Sequence, residues 1–226
     1  MDEPPGTNLV VTVRTAGHGR QRLITLSDGR DFLFSEEACA QVGVHDGDAA
    51  DPALLEALDA AEQRAVAHEA ALRLLAHRPR SETEMRTRLA MRGVESSAIE
   101  DEVSRLREAG LLDDQEFARA WVEDRKRLAP RGRRMLRYEL LGRGIKLDAV
   151  DLVTEDVDDR ETALALARSK ARGSALASYE TFLTRVGGFL KRRGFDYAVT
   201  AEAVRVVWTE VTAASQASQF EPFGEP

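Results

Sequence analysis

The chain has 226 residues, 43% of them hydrophobic, with 32 basic and 39 acidic side chains and a formal net charge of −7; it can bury a core and is not a disordered tail. Cys39 is its single cysteine, which excludes an internal disulfide and a cysteine-built zinc site, and no stretch approaches the roughly 18 apolar residues of a membrane span. The acidic total argues against nucleic acid only as an average, because residues 1–60 hold four basic and eleven acidic side chains while residues 119–146 hold ten basic and three acidic.

The opening Met-Asp-Glu-Pro-Pro lacks the basic and apolar parts of a signal peptide, and a reducing, cytoplasmic setting is expected. Residues 1–50 read as a small β-hairpin element. Leu9, Val11 and Val13 alternate with Val10, Thr12 and Arg14, and Leu23, Ile24 and Leu26 lead through Asp28-Gly29 to Phe32 and Phe34. Asp28-Gly29 is the dipeptide of a two-residue type I′ turn, where both central residues need positive φ. Gly17-His18-Gly19 has no helix after it and reads as a loop between strands. Ser35 is placed to cap a short helix ending before Gly43. So small a β element cannot bury much alone and is expected to lean on the helical segment after it.

Residues 51–64 read as a linking helix, entered through Asp51 as N-cap and Pro52 at the first helical position. Leu55, Leu58, Ala61, Val66, Leu72 and Leu75 carry the helical spacing onward until Pro79. Ser81 with Glu84, and Ser97 with Glu100, have the spacing of capping boxes, and Gly93, Gly110 and Gly144 stand where helices end. Asp113 and Glu116 open a further helix that Pro130 stops, giving nine or ten helices between residues 53 and 214.

The pattern Leu-x-x-x-Gly-apolar occurs at Leu89/Gly93/Val94, Leu140/Gly144/Ile145 and Leu190/Gly194/Phe195, with the glycines 51 and 50 residues apart. It predicts three tandem three-helix repeats over residues 65–112, 113–157 and 158–214, the middle one with a short third helix, and a flexible tail at 215–226. The expected fold is mainly α, three helix-turn-helix-like repeats in an elongated curved array behind the β element.

No catalytic constellation stands out. There is no phosphate-binding Gly-x-x-x-x-Gly-Lys-Ser/Thr run, and His18, His45, His68 and His77 lack the spacing of metal ligands. Asp113-Asp114 reads as a helix cap and Cys39 as packing; no enzyme, metal or cofactor is expected. The basic residues carry the sharper expectation. Arg125, Lys126 and Arg127 close one helix, Arg131, Arg133, Arg134 and Arg137 open the next, and Arg143 follows. Arg133, Arg134 and Arg137 fall within about 100° of arc, with Leu141 on the same face. Guanidinium forks suit a DNA backbone, an acidic protein surface, or the chain's own acidic blocks. A weaker patch combines Arg78, Arg80, Arg86, Arg88 and Arg92, and another Lys191, Arg192 and Arg193. Trp121 and Trp208 have apolar neighbours at helical spacing and read as core rather than as platforms for bases.

Ala71-Leu72-x-Leu74-Leu75-x-x-Arg78-x-Arg80-Ser81-x-x-Glu84-Met85-x-x-x-Leu89-x-x-x-Gly93, Gly110-Leu111-Leu112-Asp113-Asp114-x-x-Phe117-Ala118-x-x-Trp121-Val122-x-x-Arg125, Glu139-Leu140-x-x-x-Gly144-Ile145 and Phe189-Leu190-x-Arg192-Arg193-Gly194-Phe195 together resemble the RecX family, regulators of the bacterial RecA recombinase. The resemblance spans residues 65–211; residues 172–178 depart from the lysine-rich stretch associated with the third repeat. It implies a non-enzymatic, monomeric regulator that binds RecA as monomer and filament and inhibits its recombinase and SOS coprotease activities. Single- or double-stranded DNA is a weaker partner, and no membrane is involved. The other reading is a free-standing helix-turn-helix DNA-binding protein, and a third is a purely structural adaptor. Reversing the charge of Arg133, Arg134 and Arg137 together is expected to weaken inhibition with little loss of helix.

Overall fold

Alternating apolar residues near the start of the chain build a three-stranded antiparallel meander, β1 (Val10–Ala16), β2 (Gln21–Leu26) and β3 (Asp31–Ser35), in the order β1-β2-β3. The computed structural model describes residues 8–172 and 178–219; the opening Met-Asp-Glu-Pro-Pro, the 173–177 stretch and the 220–226 part of the tail lie outside the described residues. Gly17–Gly19 forms a single 3-10 turn between β1 and β2. The β2–β3 turn differs from the two-residue expectation. Gly29 N–H donates to the Leu26 carbonyl at 3.0 Å and Leu26 N–H to the Arg30 carbonyl at 2.9 Å, so the loop is the three-residue Ser27-Asp28-Gly29 with left-handed Gly29 at its end. Ser27 is drawn out of the ladder because its N–H donates to the Leu9 carbonyl of the neighbouring segment.

A register shift between Val10 and Thr12 turns Val10 inward and leaves Leu9 and Val11 exposed. Ser35 caps α1 (Glu36–Val42) by accepting the Ala38 N–H. The element leans on its successor as expected: Val10, Ile24, Leu26, Phe34, Ala38 and Cys39 share a core with Leu58 and Ala61 of α2 (Pro52–His77). Burial, reinforced by the Glu62 carboxylate, pushes the Cys39 thiol pKa up, so Cys39 is a packing residue and not a reactive thiolate.

The 26 residues of α2 run unbroken across the 64/65 boundary between linker and first repeat, a length of about 39 Å. Asp51 caps the helix through the Leu54 N–H. Its first half serves the β element. Its second half turns Ala67, Ala70, Ala71 and Leu74 toward α3 (Glu82–Ala90) and α4 (Ser96–Glu108), where Met85, Leu89, Val103 and Leu106 complete the first repeat. Val66 and Leu72 face outward, contrary to the expected stripe. Alanines fill the inward positions because α4 packs closely against this part of α2.

Ser81 caps α3 as expected, accepting the Glu84 N–H at 3.1 Å. Ser97 does not cap α4. The helix begins two residues earlier, with Glu95 at the N-cap position and its N–H held by Gln63 Oε1 at 3.2 Å. Burial of Val94, Ala98 and Ile99 sets that entry and places Ser97 inside the first turn. These elements form one compact unit, residues Met1–Asp113.

The second unit, residues Asp114–Pro226, holds the other two repeats. The second repeat is α5 (Asp114–Leu128), α6 (Arg133–Leu141) and α7 (Leu147–Thr154), packed on Phe117, Ala118, Val122, Leu136, Leu140, Ile145 and Val150. At 8 residues α7 is the short third helix the repeat pattern predicts, against 13 in α4. The third repeat begins with α8 (Asp159–Ala171). Its second helix is interrupted: α9 (Tyr179–Phe182) passes through a π-turn at Leu183–Gly187 into α10 (Gly188–Arg192), and α11 (Tyr197–Gln219) follows. Trp208 packs on Phe182 and Tyr179 in this core, as expected.

Gly93, Gly144 and Gly194 have φ of 79°, 79° and 92°. Each ends the second helix of its repeat in the left-handed region, which is why the motif recurs at that spacing. Among the described residues no helix is long and apolar enough to cross a membrane.

Candidate partner-binding surface

The expected binding residues sort into three arrangements when placed on this scaffold. In the first repeat, Arg78 reaches Glu84 at 2.8 Å, while Arg80 donates from Nε to the Leu74 carbonyl at 3.3 Å. Burial pushes the pKa of Arg80 down from its ordinary value, and the positive fields of Arg78, Arg88 and Arg92 push the same way against the Glu84 carboxylate. Arg86 stands apart from them. It bonds Glu100 at 2.9 Å and Glu82 at 3.1 Å, and these carboxylates raise its pKa.

In the second repeat most of the basic cluster is tied to the chain itself. Glu139 is the centre. Its side chain, only 17% exposed, accepts Trp121 Nε1–H at 2.9 Å and Arg125 Nε–H at 2.7 Å, with Arg131 at 3.6 Å. The guanidiniums of Arg125 and Arg143 lie 4.1 and 3.7 Å from the Trp121 ring centroid. Trp121 also stacks on Phe117. It is core on one side and an arginine support on the other, so its role is wider than the packing expected.

Arg133 is likewise engaged. Its guanidinium donates to the carbonyls of Glu155 and Val157, and its N–H donates to Asp159 at 2.7 Å. Burial raises the Asp159 pKa, an effect that the Arg133 bond and charge partly offset. Arg137 bonds Asp151. Lys126 and Arg127 make exposed pairs with Glu123 at 2.7 Å and Asp124 at 3.1 Å, one helical turn back. Arg134 alone of the first turn of α6 is exposed with no partner among the described residues.

The second and third repeats meet at backbone. Gly132 N–H donates to the Arg193 carbonyl at 2.9 Å, and Arg193 Nη1 donates to the Pro130 carbonyl at the same distance. A Cβ on Gly132 would lie 2.7 Å from the Gly194 oxygen, and one on Gly194 would lie 2.4 Å from Met135 Cβ. This junction sets the first turn of α6 beside the turn that follows α10. Burial, and then the charge of Arg131, lowers the pKa of Arg193. Lys191 and Arg192 are exposed and have no partner among the described residues.

Sequence reasoning missed Glu139 as an organising acid and the exposure of Tyr138, 75% open to solvent. Glu139 shows only as one of three acids within the basic block of residues 119–146. Tyr138 shows no signal, since an aromatic at helical spacing ordinarily reads as core. Among the described residues no group of three or more His, Cys, Asp or Glu could hold a metal ion.

Comparison with known proteins agrees with the three-helix organisation of the repeats. The family model for the RecX first three-helix domain matches residues 67–106, and that for the RecX second three-helix domain matches residues 113–152. The chain is 36% identical over 137 residues to a protein named regulatory protein RecX of Mycobacterium avium, covering 59% of this chain and 79% of that one. It is 33% identical to the regulatory protein RecX of Streptomyces coelicolor, over 59% of this chain and 73% of the other. A crystal structure of regulatory protein RecX superposes with a TM-score of 0.65 at 21% identity, covering 85% of this chain and 96% of that one. RecX from Lactobacillus salivarius superposes with a TM-score of 0.58 at 19% identity, over 65% of this chain and 97% of that one. These two structures share the fold.

Proposed function

The chain belongs to the RecX family of regulatory proteins, and from that premise we propose that it binds RecA and its nucleoprotein filament and inhibits recombinase and SOS coprotease activity. The observation that supports this reading is the junction of the second and third repeats. There Arg134, Lys191 and Arg192 project with no partner among the described residues, while their neighbours Arg133 and Arg193 are consumed in holding the repeats together.

The mechanism is binding without catalysis. The backbone contact brings the segments that carry these three unpaired cations together, and their charges suit carboxylates of a protein partner, with phosphates a weaker second target. Occupation of a filament groove by such a surface blocks the active arrangement of RecA subunits or promotes their loss. The protein acts as a monomer in the cytoplasm. The acidic β element, with four basic and eleven acidic residues in 1–60, is repelled by DNA phosphates and orients the approach.

The pairing pattern dictates the test. Reversing Arg133, Arg134 and Arg137 together, the variant the sequence suggests, would also strip the repeat junction and the Asp151 pair. Arg134→Glu alone removes an exposed, unpartnered charge. It is expected to weaken inhibition of RecA strand exchange and repressor cleavage at least about fivefold, with unchanged helix content. A wild-type protein that leaves both activities unchanged at stoichiometric levels overturns the proposal. Tight, sequence-specific DNA binding without RecA would establish the free-standing DNA-binding reading instead.

A further inference from the structure

Aligning the repeats on Gly93, Gly144 and Gly194 gives the second helices an internal control. Ten, six and three residues before the glycine stand Thr83, Thr87 and Ala90 in the first repeat. The same positions hold Arg134, Tyr138 and Leu141 in the second, and Thr184, Gly188 and Lys191 in the third. The face is open in all three: eight of the nine positions are exposed and Gly188 is half-buried. The fold therefore needs nothing large there. Small or polar residues suffice in the outer repeats, yet the middle one carries an arginine, a tyrosine and a leucine.

Tyr138 is 75% exposed and Leu141 46%, which is costly for apolar surface that packs on nothing. Their spacing, with Arg134, is i, i+4, i+7, one continuous stripe along α6. Neither the Arg134 guanidinium nor the Tyr138 hydroxyl has a partner among the described residues. Arginine and tyrosine beside an exposed leucine match the composition of an interface anchor: two side chains that fill an apolar pocket and one that bonds its rim.

Resting on the function proposed above, we infer that the Arg134–Tyr138–Leu141 stripe of α6 is the anchor that docks into the protein component of the filament, in an apolar pocket rimmed by at least one carboxylate. Charge selects protein over nucleic acid. Asp151, bonded to Arg137, neutralises that cation, so this face of α6 offers fewer charges to phosphates than its sequence suggests. Leu141 also has no role toward a base or a phosphate, whereas it extends the apolar surface a pocket would cover.

The experiment uses the full chain with Tyr138→Ala and Leu141→Ser, singly and together, and with Thr87→Ala and Thr184→Ala at the matching positions. Affinities are measured for free RecA, for RecA filaments on single-stranded DNA, and for the DNA alone. The double variant is expected to lose about tenfold or more toward RecA and the filament, while affinity for DNA alone and both threonine controls stay within about twofold. Tyr138→Phe keeps the ring and most of the affinity, and circular dichroism shows whether helix content is retained. The inference is overturned if wild type binds RecA and the double variant binds it equally well. An equal loss toward naked DNA also overturns it, showing base stacking instead, as does a wild-type dimer that Tyr138→Ala splits, showing a second copy as the occupant. Failure of the wild type itself to bind RecA defeats the function proposed above, and this inference with it.

Discussion

The first and second repeats set similar numbers of arginines on the same three-helix scaffold and pair them differently. In the first, burial and then the fields of Arg78, Arg88 and Arg92 lower the pKa of Arg80, against the opposing Glu84 carboxylate. In the second, Arg125 and Arg131 converge on Glu139, Arg133 spans to the α7–α8 loop, and Arg137 bonds Asp151. The second repeat has the denser basic sequence, yet most of its cations are tied to acids and carbonyls of the chain itself. Formal charge along a sequence is therefore a poor measure of charge offered to a partner; pairing across the fold decides how much remains.

The largest effect that separates the first unit from the second is expected at the turn glycines Gly93 and Gly194. Gly194→Ala meets Met135 Cβ at 2.4 Å and Met135 N at 2.8 Å, and it also forces a side chain to φ of 92°. It should destabilise the second unit by about 3 kcal/mol or more. Gly93→Ala adopts a similar φ of 79° with nothing within 4 Å, so only the left-handed strain of about 1 kcal/mol remains. Both tryptophans, Trp121 and Trp208, lie in the second unit, so fluorescence during urea unfolding reports that unit alone. Circular dichroism is needed to follow the first. Equal losses for the two variants would show that the repeat junction carries no special strain.

Glu139→Ala is next. It leaves the Trp121 N–H and the Arg125 guanidinium without their acceptor and Arg131 without its ion-pair partner, and a loss of about 2 kcal/mol is expected. Removing Glu100, the exposed partner of Arg86 in the first repeat, should cost less than about 1 kcal/mol. Similar costs for both would erase the distinction between internal fasteners and surface pairs. A measured rise in Arg125-dependent binding upon Glu139→Ala would sharpen it, since freeing that guanidinium returns a cation to the surface.

How much of the fold was legible in the sequence depended on the range of the interactions. Helix caps at Ser35, Asp51 and Ser81 and the left-handed glycines act over three or four residues, so spacing alone locates them. The three-helix repeats could be read from the glycine period for the same reason. Ser97 misled because Ser97 and Glu100 look like a local cap, while the burial of Val94 and the bond from Glu95 to Gln63, 32 residues away, set the true helix start. The basic surface was legible as a list and not as an arrangement. Arg125 and Glu139 are 14 residues apart, Arg133 and Val157 are 24, and Arg193 reaches Pro130 across 63. No periodicity encodes such pairings.

The smallest effect concerns Asp159, which accepts the Arg133 N–H in the same junction. Burial raises its pKa in the folded chain above the unfolded value. An unfolded chain then loses its proton first as pH rises, so ionisation of Asp159 favours unfolding. Its cost is absent below the unfolded pKa, grows as pH climbs through the ordinary carboxylate range to the raised folded value, and is fully present at neutral pH. Asp159→Asn keeps an oxygen for the Arg133 N–H and removes that cost. At pH 7 the variant should be slightly more stable than wild type, by less than about 1 kcal/mol because the site is still in contact with water. The difference should shrink as pH is lowered below about 4, where aspartate is protonated in either state. Parallel urea titrations at the two pH values check this. A variant less stable at pH 7 would mean that the Arg133–Asp159 attraction outweighs the burial of the carboxylate, and that the charge is a net fastener of the junction.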